Sequence, residues 1–253
     1  MEENILQRAA LQAMCDYLGY DEGKVYIDML TKKEMSEEYS HSKSYRILKS
    51  LFDLGAIAKI KEKGDISVYV PLPPTFLIGE MKDAKIIDHL EKIYLKNHSD
   101  IFKGKYLQIS LKGQFQNSLI LFLLKHVMNK YAIIVSGGVF DYNSLKANLG
   151  ADKISKITYF CREDYSESSP KSSNLIKVEP AKIGNKRIVL IDGKILLELL
   201  KFPNTDSLNH PENTLYKGYM LSTSFMINTT SGKVDYIQQI EEEIKELYKS
   251  RNV

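Results

Sequence analysis

The first 74 residues carry a helical and then a strand-like pattern of apolar and polar positions. Segment 41–54, HSKSYRILKSLFDL, places its apolar residues on one side of a helix and its polar residues on the other. Gly55 follows, and glycine readily adopts the left-handed conformation that ends many helices. Two short alternating runs come next, 56–61 and 66–70, with the polar segment 62–65 between them. The pattern predicts a helix followed by a β-hairpin.

The polar side of this predicted helix suits a DNA groove. Helix followed by a hairpin with basic flanks is the layout of a winged helix-turn-helix, in which the helix enters the major groove and the wing contacts phosphates. The residues that we predict to contact DNA are Ser42, Lys43, Tyr45, Arg46, Lys49 and Ser50 on the helix, with Lys61 and Lys63 in the wing. An amphipathic helix with basic residues is also an ordinary solvated surface, and the pattern alone leaves both interpretations open.

Three segments of the N-terminal region match the pattern of one known family. Segment 18–30 reads LGYDEGKVYIDML, segment 41–51 reads HSKSYRILKSL, and segment 69–74 reads YVPLPP. They resemble the first helix, the recognition helix and the wing end of the TrmB family of archaeal winged-helix transcription regulators. Segment 31–40, between the two matched helices, is shorter than is usual in that family, so the helix predicted at 35–39 is short. The resemblance implies a regulator that binds double-stranded DNA as a homodimer.

Prolines and periodicity divide the chain into three parts. Pro71, Pro73 and Pro74 end the wing, which predicts an N-terminal domain over 1–74. A helical linker is predicted within 75–103, because residues 75–97 keep a helical period. Its apolar stripe packs either on the C-terminal domain or against a second copy of the chain. The family resemblance favours the second copy, so the predicted dimer contacts are Met81, Ile87, Leu90 and Tyr94.

The remaining residues, 104–253, alternate strand-like and helical patterns. Strands are predicted at 106–111, 131–136, 156–161, 187–191, 194–200 and 216–222, and helices at 114–128 and 234–248. This order predicts an α/β sandwich in the C-terminal domain and an α+β protein as a whole. The last helix carries an apolar stripe that either packs in its own domain or pairs with a second copy: Ile237, Ile240, Ile244 and Leu247.

The C-terminal pattern resembles a phospholipase-D-like domain, which many TrmB-family proteins carry. Lys112-Gly113 follows its first strand and Asp192-Gly193 follows a late one. Active enzymes of that fold need a His-x-Lys pair and a later aspartate, whereas here only His41 has a lysine two positions on and Leu48 holds the aspartate position. Phosphate-binding loops and serine-nucleophile motifs are also missing. We therefore predict that the protein is not an enzyme and holds no cofactor or metal.

The C-terminal domain either binds a small-molecule effector or mainly contributes to assembly. Gly137-Gly138 after a strand offers backbone amides to an anion or a sugar hydroxyl, or simply makes a turn. The polar segment 163–174 is either a site of regulatory modification or a solvated connection. The pattern does not decide between these alternatives.

Charge and cysteine content add two constraints. The net charge of +3 does not by itself indicate nucleic acid, but six Lys or Arg concentrate in 41–63 against Asp53 and Glu62. Residues 1–74 as a whole are slightly acidic, which also fits a rival function, a winged-helix protein-interaction adaptor without specific DNA binding; an enzyme of unfamiliar type is a third. Cys15 and Cys161 are expected to be reduced thiols in a cytoplasmic protein. The longest apolar run is too short for a membrane span.

Overall fold

The computed structural model describes residues 2–32, 42–60, 68–77, 83–102, 106–136, 145, 147–162, 174–183, 186–202, 215–222, 226–229 and 232–249. Its helices are α1 Glu2–Leu18, α2 Tyr20–Thr31, α3 Ser42–Leu54, α4 Ala84–His98, α5 Gly113–His126, α6 Ala151–Ile154, α7 Pro180–Ile183 and α8 Tyr236–Lys249. Its strands are β1 Ile57–Ile60, β2 Val68–Pro71, β3 Tyr106–Lys112, β4 Ala132–Ser136, β5 Ile157–Arg162, β6 Leu175–Val178, β7 Lys186–Ile191, β8 Ile195–Phe202, β9 Leu215–Ser222, β10 Met226–Thr229 and β11 Gly232–Asp235.

The protein is therefore α+β, as its pattern predicts, and it divides into two compact units. Unit 1 comprises Met1–Phe102, Tyr106–Leu119 and Pro203–Lys217, and unit 2 the remaining residues. The predicted helix at 35–39 lies outside the described residues. So do the wing turn that carries Lys61 and Lys63, the pair Gly137-Gly138 and most of the polar segment 163–174.

Two glycines set the packing of α1 against α2 in unit 1. Gly19 separates the two helices with φ +100°, a conformation that L residues with a side chain rarely adopt. Gly23 lies directly against the α1 backbone: a Cβ there would stand 2.6 Å from backbone atoms of Met14 and Cys15. A side chain at this position would therefore force the two helices apart.

Helix α3 ends as its sequence predicts. Gly55 has φ +85°, its N–H donates to the Phe52 carbonyl at 3.0 Å, and the Ala56 N–H donates to the Leu51 carbonyl at 2.9 Å. These two bonds form a Schellman motif, which satisfies carbonyls that would otherwise lack partners at the helix end. The prediction of a helix with a left-handed glycine cap is confirmed.

The predicted hairpin is also confirmed, and a third strand joins it. Strands β1 and β2 pair antiparallel, with Ile57 opposite Pro71 and Ile60 opposite Val68. The other edge of β1 pairs antiparallel with β3, with Lys59 opposite Gln108. The sequence places β3 in the C-terminal region 104–253, whereas its pairing makes it part of unit 1.

The predicted linker helix differs from the structure at its start. Pro74–Leu77 forms a short, buried 3₁₀ helix, and α4 begins only at Ala84. Asp83 caps α4, because its carboxylate accepts a hydrogen bond from the Lys85 N–H at 2.9 Å. A capped start at residue 84 rules out one continuous helix over 75–97.

The predicted dimer stripe needs correction. Helix α4 packs against α1 and α2, and Leu90 and Tyr94 are 0% exposed there. Ile87 is half-buried, and Met81 lies outside the described residues. Because α1 and α2 already cover this side of α4, the side chains of Leu90 and Tyr94 belong to the core of unit 1 and cannot contact a second copy.

Unit 2 contains a mixed sheet with the strand order β8-β7-β4-β5-β6. Strands β4, β5 and β6 are parallel, and β7 and β8 form an antiparallel hairpin beside β4. The strands predicted for this region are present, whereas β6, β10 and β11 have short or weak patterns and were not predicted. The last helix begins at Tyr236, two residues later than predicted, because Gly232–Asp235 pairs with β10.

Helix α8 packs within its own unit. Ile237, Ile240 and Ile244 are at most 3% exposed. The rings of Tyr248 and Phe160 meet edge to face at 4.8 Å between centroids, and the Tyr236 hydroxyl donates to Glu198 at 2.7 Å. Of the two roles predicted for this apolar stripe, these contacts support packing in the core of its own domain.

Candidate nucleic-acid interface

Helix α3 has one buried and one exposed side. It packs against α2, β1 and β3, and Leu48 and Leu51 are buried at 7% and 0% exposure. Four of the six predicted contact residues on the helix lie on the opposite side and are exposed: Tyr45, Arg46, Lys49 and Ser50. Ser42 and Lys43 lie in the first turn of the helix, but their side chains are outside the described part of the structure. The structure therefore brings four predicted residues together on one solvent-facing surface.

An ion pair shares this exposed surface. Lys49 Nζ lies 2.8 Å from Asp53 Oδ2, one helical turn away, and both side chains are largely exposed, at 63% and 47%. The hydrogen bond to Asp53 raises the pKa of Lys49, so the lysine stays charged at neutral pH. Exposed pairs of this kind contribute about 0–1 kcal/mol. A phosphate group can therefore replace the Asp53 carboxylate at little cost.

Strand residues beside α3 extend the surface beyond the predicted positions. Lys59 on β1 lies between Tyr69 on β2 and Gln108 on β3, and all three are partly exposed. Burial raises the pKa of Tyr69, and the electrostatic effect of Tyr45 raises it further. Lys59 and Tyr69 have strand periodicity in the sequence. Gln108 gave no signal, because it comes about 50 residues after its partner on β1.

Gly55 fixes the position of α3 on the sheet. A Cβ at this residue would lie 2.6 Å from Leu111 Cδ2 and 3.1 Å from the Ser110 carbonyl oxygen. The end of the helix thus lies directly on β3, and a larger residue would require Leu111 or the β3 backbone to shift. The orientation of the exposed side of α3 depends on this close contact.

Unit 2 holds a carboxylate with three backbone donors. Asp192 accepts hydrogen bonds from the N–H groups of Asn129, Lys130 and Tyr131 at 2.8–3.0 Å. Burial pushes the pKa of Asp192 upward, but these donors and the Lys130 charge outweigh it, so the pKa is lowered from 3.8. Asp192 and Gly193 both have positive φ, 53° and 64°, and form the turn of the β7–β8 hairpin. The carboxylate therefore ties the loop after α5 to this turn, which is a structural role.

Among the residues that the structure describes, no three His, Cys, Asp or Glu side chains are grouped closely enough to hold a metal ion. No described helix is both long and apolar enough to cross a membrane.

No protein-family model matches this chain, and no curated protein matches it either. The resemblance to TrmB regulators rests on the three N-terminal segments quoted above.

Proposed function

We propose that this protein is a cytoplasmic, TrmB-like transcription regulator that binds specific double-stranded DNA as a homodimer. The observation that carries the proposal is the exposed side of α3, which presents Tyr45, Arg46, Lys49 and Ser50 while its opposite side is buried on a helix and two strands. A rigid helix with polar and basic side chains on one face fits the major groove. The β1–β2 hairpin follows the helix, as a wing would.

Base contacts and phosphate contacts have different roles in this proposal. Arg46 contacts base edges, and its replacement by alanine costs about 1–3 kcal/mol on a cognate site and blurs the sequence preference. Lys49 and Lys59 contact phosphates, together with Lys61 and Lys63 of the wing. Their loss weakens binding to all sequences roughly equally.

A matched pair of lysines provides the decisive test. Lys49 on α3 and Lys92 on α4 are both exposed, and each pairs with an aspartate four residues away, at 2.8 and 2.6 Å. Lys49→Ala and Lys92→Ala therefore remove the same charge and the same kind of ion pair. Fluorescence anisotropy with duplex DNA, titrated at several salt concentrations, separates them. We expect Lys49→Ala to weaken binding and to reduce the salt slope by about 0.9, whereas Lys92→Ala leaves both unchanged.

The cognate sequence has to be found first, by genome-wide mapping of the sites that the protein occupies. A two-fold protein recognises an inverted repeat with half-sites about one helical turn apart, or a multiple of it. Equal effects of the two lysine variants on binding to mapped sites would contradict the proposed surface. Absence of binding to any mapped duplex would contradict the function.

The rival proposal is a protein-interaction adaptor that uses the same surface. Tyr45 favours it, because an aromatic side chain that is 58% exposed is typical of protein interfaces. Asp53 also offsets the charge of Lys49 on that surface. Docking of a protein there gives a shallow salt dependence, whereas release of counterions from DNA gives a steep one.

We further propose that the protein has no catalytic activity and that unit 2 serves assembly or effector binding. The absence of the His-x-Lys and aspartate set from the sequence supports this. Purified protein is expected to leave phosphodiester substrates intact with and without divalent metal.

A further inference from the structure

The positive charge of the chain lies in unit 2. Unit 2 contains 19 Lys or Arg residues and 13 Asp or Glu residues, which gives it a net charge of +6. Unit 1 contains 16 Lys or Arg and 19 Asp or Glu, a net charge of −3. The unit that carries α3 is therefore acidic, whereas the other unit has the excess of basic residues that attracts a polyanion.

Lysines gather at the end of the unit 2 sheet where β4 and β5 begin and β7 turns into β8. The Lys130 N–H donates to the Asp192 carboxylate at 2.8 Å, and Asp192 begins the turn that leads to Lys194. The Asp192 N–H donates in return to the Tyr131 carbonyl at 3.0 Å. Two loops that are 62 residues apart in the sequence thus bring Lys130 and Lys194 to the same end of the sheet.

A third lysine, Lys125, lies at this end in the last turn of α5. Lys153 Nζ donates to the Lys125 carbonyl, and the chain then continues through Lys156 into β5. The Lys156 carbonyl accepts a hydrogen bond of 3.0 Å from the N–H of Ala132, where β4 begins. Burial lowers the pKa of His126, and the charges of Lys125 and Lys153 lower it further, as expected where positive charge is concentrated.

The ammonium groups of Lys125, Lys130 and Lys194 are available to a ligand. All three residues are exposed, and in the described part of the structure none of these ammonium groups forms an ion pair or a hydrogen bond. Lys153 differs, because its ammonium group already bonds to carbonyls at the end of α5. We term the three available lysines the basic end of unit 2.

Of the acids that the contacts place near the basic end, two have other partners. Asp152 pairs with Lys156 at 3.3 Å, and Asp192 accepts three backbone N–H groups. The third, Glu241 on α8, has its Oε1 3.0 Å from the point that a Cβ added at Gly193 would occupy. Glu241 forms no ion pair with any lysine that the structure describes. Three unpaired lysines against one unpaired carboxylate leave an excess of positive charge.

We infer that the basic end is a second nucleic-acid surface, which binds the phosphate backbone of duplex DNA without regard to sequence. Its other exposed residues include Asn129 and Ser155, and phosphates are contacted by Lys, Asn and Ser side chains. Protein interfaces, in contrast, are depleted of lysine. The choice of duplex DNA among polyphosphates rests on the proposed function, whereas the excess of positive charge does not.

Binding of the whole protein to a duplex of arbitrary sequence tests this surface. Fluorescence anisotropy at several salt concentrations gives the affinity and its salt slope. Each lost phosphate contact reduces the slope by about 0.9. We therefore expect Lys130→Ala/Lys194→Ala to weaken binding and to reduce the slope by about 1.8, and the further change Lys125→Ala to bring the reduction to about 2.7.

A matched variant removes the same charge from the opposite end of the sheet. Lys177 and Lys182 are also exposed residues of unit 2, but they lie near and just after the end of β6, whose strand runs parallel to β5. Lys177→Ala/Lys182→Ala should therefore bind the duplex with the affinity and salt slope of the wild type. Circular dichroism of both double variants checks that each is folded, as expected for changes at exposed positions.

Three results would contradict the inference. Equal salt slopes for the two double variants would mean that only the overall charge matters. Wild-type protein that fails to bind the arbitrary duplex at about 50 mM salt would exclude a backbone-binding surface. Tighter binding of a single-stranded RNA than of the duplex would overturn the choice of duplex DNA.

Lys49→Ala separates this inference from the proposed function of unit 1. If unit 1 does not bind DNA, Lys49→Ala binds every duplex like the wild type, while Lys130→Ala/Lys194→Ala still loses affinity. If the basic end does not bind DNA, the pattern is reversed: Lys49→Ala weakens binding to mapped sites, and Lys130→Ala/Lys194→Ala behaves like Lys177→Ala/Lys182→Ala.

Discussion

Replacing Gly55 with alanine tests how α3 is held on the sheet. Two independent features oppose a side chain at this position. The backbone has φ +85°, and the new Cβ would approach Leu111 Cδ2 to 2.6 Å and the Ser110 carbonyl oxygen to 3.1 Å. The first is a conformational strain within the residue, and the second is a steric clash with β3.

The expected magnitude follows from these two contributions. A left-handed conformation costs an alanine roughly 1–2 kcal/mol. Overpacking a closely packed site costs typically about 1–3 kcal/mol. The lower entropy of the unfolded alanine chain returns about 0.4–1 kcal/mol. We therefore expect Gly55→Ala to lower the free energy of unfolding by about 1–4.5 kcal/mol, with the larger values if β3 cannot shift.

Urea unfolding followed by circular dichroism measures this change in the free energy of unfolding. Two further variants separate the contribution of backbone strain from that of the steric clash. Gly19 has φ +100°, but the nearest atom to its added Cβ is the flexible end of Glu22, at 3.0 Å. Gly19→Ala therefore isolates the strain and should cost about 1 kcal/mol. In a double-mutant cycle, Leu111→Ala removes the clashing methyl group and should recover part of the loss caused by Gly55→Ala.

Two outcomes would refute the reasoning. If Gly55→Ala is no more destabilising than Gly19→Ala, contact with β3 does not contribute. If the double mutant is additive, the clash with Leu111 is not the source of the extra cost, and the orientation of α3 depends on something other than this contact.

The remaining predictions concern the core of unit 1, its assembly and the acid stability of unit 2. Tyr26→Phe removes the buried hydrogen bond from the tyrosine hydroxyl to the Leu72 carbonyl, 3.0 Å long, and should lower the free energy of unfolding by about 1–2 kcal/mol in urea titrations. Leu90→Ala should cost about 2–5 kcal/mol, because Leu90 is fully buried in the monomer; a cost below 1 kcal/mol would contradict that burial. Ile87→Glu, on the half-buried side of α4, should leave unit 1 folded, and light scattering of this variant and of wild type at micromolar concentration shows whether α4 contributes to a dimer. The folded pKa of Asp192 is depressed, so its contribution to stability is present above the unfolded value near 3.9 and is lost as pH falls through the folded pKa. Asp192→Asn should therefore be less stable than wild type at pH 7, and the difference should shrink below pH 4; a constant difference would mean that the charge is not involved.

The sequence predicted what depends on neighbouring residues. The amphipathic period of α3, Gly55 at its end and the alternation of β1 and β2 are all local, and all are present in the structure. The sequence does not reveal that α4 begins only at Ala84, because the helical spacing of apolar residues continues backward through residues 75–83. In the structure, Phe76 and Leu77 use their apolar side chains to fill the core from a 3₁₀ helix.

Partners that are distant in sequence were not predictable. The chain gives no signal that Gln108 lies beside Lys59, because that pairing depends on where α4 returns the chain. For the same reason the sequence does not show that Ser136 on β4 lies opposite Arg187 on β7. The four exposed contact residues on α3 lie together because they belong to one helix, which the sequence predicts. The strand residues that extend this surface lie beside each other only because β1 pairs with β2 and β3.

The pairing of β1 with β3 also has a consequence during synthesis, because β1 is made well before its second partner strand. Strand β1 and its hairpin partner emerge first, and the last residue of β3 follows about 40 residues after Pro71. At roughly 5–20 residues per second, the second edge of β1 has no partner for roughly 2–8 s. An open strand edge invites pairing with another nascent chain, and a charged residue on it discourages that. The charge of Lys59, on this edge of β1, therefore discourages pairing with another nascent chain until β3 has been synthesised and pairs with β1.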